Sequence, residues 1–271
     1  MIDDERSAEA RAVAELALIR LLAGSAPTSR LLIVLGGLIP PTLTSAASTA
    51  PAHLGTTDVD VLLVTHLTAD RDLSPIERAL KMMDFAPDAD GWRWSGVVEG
   101  RVVKIEFLCD LDDQPAEAIV TPKGCSTLRA VNLRGTGNVE HDHREMTLHG
   151  PDGDVQVRYA GLAGYLLSKA AAARTRGADK DYYDLAYVLL HNDAGGPAAA
   201  AALINASTLK AAVPGMATTF AELRERFRDD RAQGPRAYAQ ESLKVTPEED
   251  AALLAADAAA AVREFLEALH R

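Results

Sequence analysis

The chain has 271 residues, of which 48% are hydrophobic and 25% charged, and a formal net charge of −11. This is the composition of a globular protein of about two domains on a prior of roughly 150 residues each, not of a disordered chain. The acidity excludes a protein that coats nucleic acid non-specifically.

No apolar run approaches the roughly 18 residues that cross a bilayer. The opening, "MIDDERSAEA", is acidic where a secretory signal is basic and then apolar. A cytoplasmic protein with no membrane partner is expected. Cys109 and Cys125 have neither zinc-knuckle nor redox spacing and are too few for a disulfide framework, so they are read as inert thiols. A polyanion site must be local, and the candidate is the run from Arg158 through Lys169, Arg174 and Arg176 to Lys180.

In chain order, residues 3–23 read as an amphipathic helix with Val13, Leu16, Ile19 and Leu22 at helical spacing before Gly24. "RLLIVLGG" is a short strand ending in two glycines, and residues 38–54, with three prolines, form a loop with at most a turn of helix. A second strand runs from Asp58 to Thr65. Ser74-Pro75 opens a helix that continues to Met83. "WRWSGVV" and "RVVKIEFL" form a hairpin around Glu99-Gly100. Weaker strand signals lie at 118–120, 128–133 and 155–159. From Leu162 the pattern is helical: 162–174, 180–191, 197–212, 217–230 and a last helix capped by Thr246 with Pro247 at its first position. The expected organisation is an α/β (α+β) domain over 1–158, a mixed β-sheet flanked by helices, followed by a helical domain over 159–271.

The stretch "DVDVLL" sets Asp58 and Asp60 two residues apart in an otherwise apolar strand. Residues i and i+2 share a strand face, so the two carboxylates repel and lose hydration unless a cation lies between them or the strand end is open to water. A divalent metal resolves the conflict; the alternative is that Asp58 starts the strand and Asp60 is exposed. Upstream, Gly36-Gly37 closes a strand where unencumbered backbone N–H groups can cradle a phosphate. Downstream, Glu106 stands alone between Ile105 and Phe107 in the hairpin. If that strand lies beside the Asp58–Asp60 strand, three acids share a face, a donor set suited to two Mg²⁺ ions, with Mn²⁺ as an alternative.

The order of paired glycines, hDhDh at 58–62 and hEh at 105–107 resembles the nucleotidyltransferase fold of DNA polymerase β and small bacterial transferases. "YLLSKAAAARTRGADKDYYDLAYVLL" further resembles the helical region of abortive-infection toxins of the AbiEii type, the type IV toxin family. The resemblance covers scattered pieces of residues 31–192. It implies Gly36 and Gly37 at phosphate, Asp58, Asp60 and Glu106 at metal, Lys169 at the triphosphate, and Asp181 and Asp184 as supporting acids. It implies NMP transfer from an NTP to an acceptor, tRNA by the resemblance, with a cognate antitoxin as partner; a second reading keeps the enzyme with a small acceptor of the aminoglycoside kind, which the overall acidity favours. A non-catalytic nucleotide- or protein-binding scaffold is the reading from another class. This chain departs from the pattern in the 20 residues between Gly37 and Asp58 and in Gly37 itself, where many such transferases have serine.

Lys169 projects from the apolar stripe of Leu162, Leu166 and Ala173 and needs a carboxylate, a phosphate or a route to solvent. Asp181 and Asp184 share a face in the first turn of the next helix, where stabilising the helix dipole is the alternative role. His141 and His143 lack a third ligand and are read as a solvated turn. Trp92 and Trp94 are read as packing on the hairpin, with base stacking the alternative. "ELRERFRDDR" is read as a solvated, salt-bridged face. Thr56 and Thr57 abut the acids; a phosphate, a metal-bound water or Asp58 itself are the open partners, and Thr57 is counted with the nucleotide-binding residues.

Overall fold

The computed structural model describes residues 6–26, 28–45, 50–64, 70–151 and 153–270. The first residues of the expected N-terminal helix, and Thr65 of the expected second strand, lie outside them. The chain divides into two compact units. One comprises Met1–Ile39 with Gly55–Ala160, the other Pro40–Leu54 with Gly161–Arg271.

Among the described residues, the first unit is a mixed sheet with two α-helices and short 3-10 turns. Helix α1 (Ala8–Gly24) is opened by Ser7, whose Oγ accepts from the Ala10 N–H at 3.0 Å. Its buried residues include Ala14, Ala17, Leu18 and Leu21. The apolar face is therefore rotated from the expected one, and Val13 and Leu16 are only half-buried. Ile19 and Leu22 of the expected face are buried, together with the small side chains Ala10, Ala14 and Ala17. Strand β1 (Leu32–Leu35) passes directly into a 3-10 turn at Gly36–Leu38. Strand β2 (Asp58–Leu63), helix α2 (Ser74–Met82) and the short β3 (Ala86–Pro87) follow, then the hairpin of β4 (Arg93–Val98) and β5 (Arg101–Cys109). Both hairpin-turn residues have positive φ, Glu99 at 49° and Gly100 at 79°, the conformation of a turn that matches strand twist. β6 (Ile119–Val120), β7 (Ala130–Asn132), β8 (His143–Gly150) and β9 (Gly153–Ala160) complete the set.

The sheet order is β3-β4-β5-β2-β1-β9-β8, with β7 pairing β5 and β6. β2 is antiparallel to β1 and parallel to β5. Val59, Val61, Ile105 and Phe107 are fully buried on one side of the central strands. His141 lies exposed in a bend, as expected, and the expectation of a solvated turn is corrected at His143 alone. His143 begins β8, pairing with Ala160, and the strand went unread because its alternation is almost wholly polar.

Two buried polar residues fix loops of this unit. Glu77, on α2, accepts from the backbone N–H groups of Ser126, Thr127 and Leu128 at 2.8, 3.0 and 3.0 Å. Asn132 Nδ2 donates to the carbonyls of Leu111, Gln114 and Pro115 while its Oδ1 accepts from Leu111 N–H.

The second unit is helical. A single turn at Pro40–Leu43 precedes α3 (Leu162–Arg176), α4 (Asp179–His191), α5 (Pro197–Ala206), α6 (Ala217–Arg226), α7 (Gln233–Ser242) and α8 (Ala251–Leu269). Gly177, at φ 60°, ends α3 in the left-handed conformation that glycine adopts without a Cβ clash. α4 is the core helix, buried from Asp181 to Leu189, and its Tyr183 stacks on Tyr238 of α7 with centroids 5.9 Å apart. The expected 197–212 helix stops at Ala206, where Ser207 turns extended, and the chain continues as a 3-10 segment at Thr208–Met216 that contains Pro214. α7 escaped the sequence reading. The last helix is capped by Asp250, which accepts from Ala252 and Leu253 N–H, and not by Thr246, whose hydroxyl bonds back to the Ser242 carbonyl. No helix of the described residues is long and apolar enough to cross a membrane.

Candidate functional site

In the first unit the register aligns Leu35 with Asp60 across β1 and β2, and Asp60 with Glu106 across β2 and β5. Partners in register share a face, so Asp58, Asp60 and Glu106 stand on the same side of two adjoining parallel strands. Asp58 and Asp60 are half-buried and Glu106 is 8% exposed. Farther along the same face the chain turns apolar, with Leu62 and Leu108 buried. The acids thus occupy the open end of a core element.

The paired glycines are packed against this end. Gly36 has φ 73°, and a Cβ there would lie 1.8 Å from Asp60 Oδ2. A Cβ on Gly37 would lie 2.6 Å from that of Thr56. Both side chains are therefore excluded by atoms of the acid-bearing segment, and the backbone of the turn abuts the carboxylate. Thr56 is buried; its Oγ1 accepts from Asp58 N–H at 3.1 Å and donates to the Asp58 carbonyl at 3.1 Å. Thr57 Oγ1 donates to Asp58 Oδ1 at 3.2 Å. Of the partners left open for the two hydroxyls, Asp58 is the one they have here.

Two cations share the acid face, and the sequence reading passed over both. Arg93, in register with Glu106, donates from Nε to Glu106 Oε1 at 2.7 Å. Its guanidinium lies 4.5 Å from the centroid of the Trp92 ring. Burial pulls the Arg93 pKa down, but the charges of Glu106, Asp88 and Asp58 outweigh it and raise it above its ordinary value. Lys104, in register with both Asp58 and Ser95, is exposed on the same face. Strand alternation could have found it, since Lys104 and Glu106 are i and i+2 in "KIEFL". Trp94 is fully buried with its Nε1 donating to the Gly91 carbonyl, as packing requires.

Three carboxylates on one face are the donor chemistry of a hard divalent cation, and in that respect the residues fit Mg²⁺. Among the described residues no three His, Cys, Asp or Glu side chains are gathered closely enough to enclose an ion, and Glu106 is held by Arg93.

In the second unit the structure brings together Lys169, Asp181 and Asp184, all buried. Lys169 Nζ donates to Asp184 Oδ2 at 2.9 Å and Asp181 Oδ1 at 3.2 Å. Asp181 also takes the two-pronged donation of Arg176, Nε at 3.1 Å and Nη2 at 2.9 Å, and is fully buried. Burial pulls the Lys169 pKa down, and the charge of Asp184, then Tyr165 and Asp181, raises it well above the ordinary value. Thus the ammonium stays charged in the core, bound by carboxylates.

His53 extends the network. Its Nε2 lies 3.1 Å from Asp184 Oδ1, its side chain is fully buried, and its ring packs on Tyr183 and Tyr187 at 5.2 and 4.8 Å. Tyr183 Oη accepts from Leu54 N–H at 3.0 Å and Tyr187 Oη donates to the Pro51 carbonyl at 2.8 Å. Three side chains of α4 thus hold residues 51–54, immediately before the glycine-threonine approach to Asp58. A histidine in a loop rich in Pro, Ser and Thr gives no periodic signal, which is why His53 was missed.

The thiols match the expectation of inertness. Burial pushes the Cys109 and Cys125 pKa values up to about 12, assisted by nearby carboxylates, so neither presents a thiolate at neutral pH. Comparison with protein-family models, curated proteins and solved structures found no match for the chain.

Proposed function

We propose that the protein is a metal-dependent nucleotidyltransferase of the nucleotidyltransferase-like fold, moving an NMP from an NTP to an acceptor hydroxyl or phosphate with release of pyrophosphate. One observation carries this reading. A glycine turn stripped of side chains abuts a carboxylate strand that runs parallel to a second carboxylate strand, with Asp60 and Glu106 in register. A packed strand carries such charges only at a cost, unless they serve a cation.

On this reading Asp58, Asp60 and Glu106 would hold Mg²⁺. The bound ion would supply charge neutralisation at phosphate oxygens and activation of the acceptor. The backbone of Gly36-Gly37 lines the phosphate, Thr57 orients Asp58, and the buried Lys169–Asp181–Asp184 network keeps the helical unit rigid. An acid-rich face suits a small cationic acceptor, whereas tRNA, a polyanion, would need a local basic site, and an antitoxin partner goes with the tRNA reading.

The test is to incubate the full chain with Mg²⁺ and each α-labelled NTP, with total tRNA, with an aminoglycoside panel, and alone. Transfer should fall at least about 100-fold in Asp60→Asn, the scale of removing one electrostatic stabiliser. Label in tRNA or in a small acceptor selects the acceptor class. Wild-type protein that moves label to neither, or an Asp60→Asn variant as active as wild type, refutes the reading.

A further inference from the structure

The cation expected at the triphosphate, Lys169, spends its ammonium on two carboxylates. A polyphosphate carries up to four negative charges, and beside an acid face it requires cations of the protein's own. Arg93 and Lys104 are the cations the register sets on that face. Arg93 is already oriented: Nε is fixed by Glu106 and the plane rests on Trp92, while the side chain remains 37% exposed. Its two terminal nitrogens carry no hydrogen bond to any described residue, so the guanidinium presents an unused edge. Such an edge, held in place, matches two phosphate oxygens side by side and loses little side-chain entropy on binding. Lys104 has no ion-pair partner among the described residues and adds a mobile point charge opposite Asp58.

We propose that Arg93 and Lys104 form the polyphosphate-binding pair of the acid face, with Arg93 the fixed fork and Lys104 the flexible contact. Their ligand class is the triphosphate of a nucleotide or an inorganic tripolyphosphate. The proposal rests on the nucleotidyl-transfer reading but identifies groups which that reading does not. Glu106 then has a second role, as the positioning residue that aims the fork.

The experiment is calorimetric titration of the full chain with inorganic tripolyphosphate and with a non-hydrolysable NTP analogue, in wild type, Arg93→Gln, Arg93→Lys and Lys104→Gln. Arg93→Gln should weaken both ligands by on the order of 10- to 100-fold, the loss of charge-assisted bonds. Arg93→Lys, which keeps the charge but not the fork, should fall between it and wild type. Lys104→Gln, a surface change that leaves folding intact, should weaken both by about 5-fold or less. Unchanged affinity in both Arg93→Gln and Lys104→Gln overturns the pair and leaves nucleotidyl transfer standing, provided the wild type binds. A wild type that binds the NTP analogue but not tripolyphosphate also overturns it. A wild type that binds neither overturns the pair and the transferase reading together.

Discussion

Replacing Lys169 by Met keeps the unbranched apolar stem and removes the ammonium with its charge and hydrogen bonds. The ammonium bonds Asp184 at 2.9 Å and Asp181 at 3.2 Å, and all three residues are buried. Removing one member of a buried ion pair costs about 3–5 kcal/mol, because the other charge is left without compensation. Here Asp181 keeps the Arg176 fork and Asp184 keeps His53, which sets the loss near the lower end, about 3 kcal/mol. That is a large part of a typical stability of roughly 5–15 kcal/mol. With a urea slope of about 2 kcal/mol/M, the midpoint should fall by about 1.5 M. Far-UV circular dichroism in urea measures it. The pH dependence has a fixed sign: the folded pKa lies above the ordinary 10.5. The Lys169 contribution is therefore complete below about 10.5 and is lost as pH rises through the higher folded value. The gap between wild type and K169M should stay constant from neutral pH to about 10 and narrow above it. A midpoint shift below about 0.3 M refutes the reasoning. So does Asp184→Asn costing as much in the K169M background as in wild type, since coupled residues should not add.

Gly36→Ala places a methyl group on Asp60 Oδ2 at a φ of 73°. It should cost about 1–2 kcal/mol in backbone strain alone and, by displacing Asp60, lower transfer activity more than stability, as paired melting and activity assays would register. Glu77→Gln should destabilise by about 1.5–3 kcal/mol, since a charged acceptor of three backbone N–H groups becomes a neutral one. Burial alone would raise the Glu77 pKa, but the hydrogen bonds of Lys81, Thr127, Leu128 and Ser126 hold it far below the ordinary 4.5. Its contribution is thus present above about 4.5 and lost as pH falls toward the depressed folded value. Acid titration of wild type should show stability falling below about pH 4.5 that E77Q lacks; parallel acid curves would contradict it.

Much of the architecture is legible in local pattern. The hairpin at Glu99-Gly100, the helical run after Leu162 and the acid alternation at Asp58 and Asp60 each rest on a period that short segments carry by themselves. What failed locally had a nonlocal cause. β8 is polar because it is the sheet's edge and takes its order from pairing with β9. The buried stripe of α1 combines Ala10, Ala14 and Ala17 with Leu18, Ile19, Leu21 and Leu22, since which side of a helix faces a sheet is set by packing as well as by hydrophobicity. The last helix starts at Asp250 because Thr246 already bonds into the preceding turn.

The sequence by itself determined which residues carry charge in apolar company, namely Asp58, Asp60, Glu106 and Lys169, while Asp181 and Asp184 were marked only by their shared helix face and the family resemblance. A solvation cost can be read from near neighbours, one and two residues away on a strand and three to seven on a helix. Only the tertiary structure decided who compensates whom. Parallel pairing of β2 with β5 aligned Glu106 with Asp60, and antiparallel pairing of β4 with β5 brought Arg93 opposite Glu106. Packing of α3 on α4 gave Lys169 to the two aspartates, and a loop more than a hundred residues earlier supplied His53. Charges find partners by distance in space, and strand register and helix packing set that distance for residues far apart in the chain.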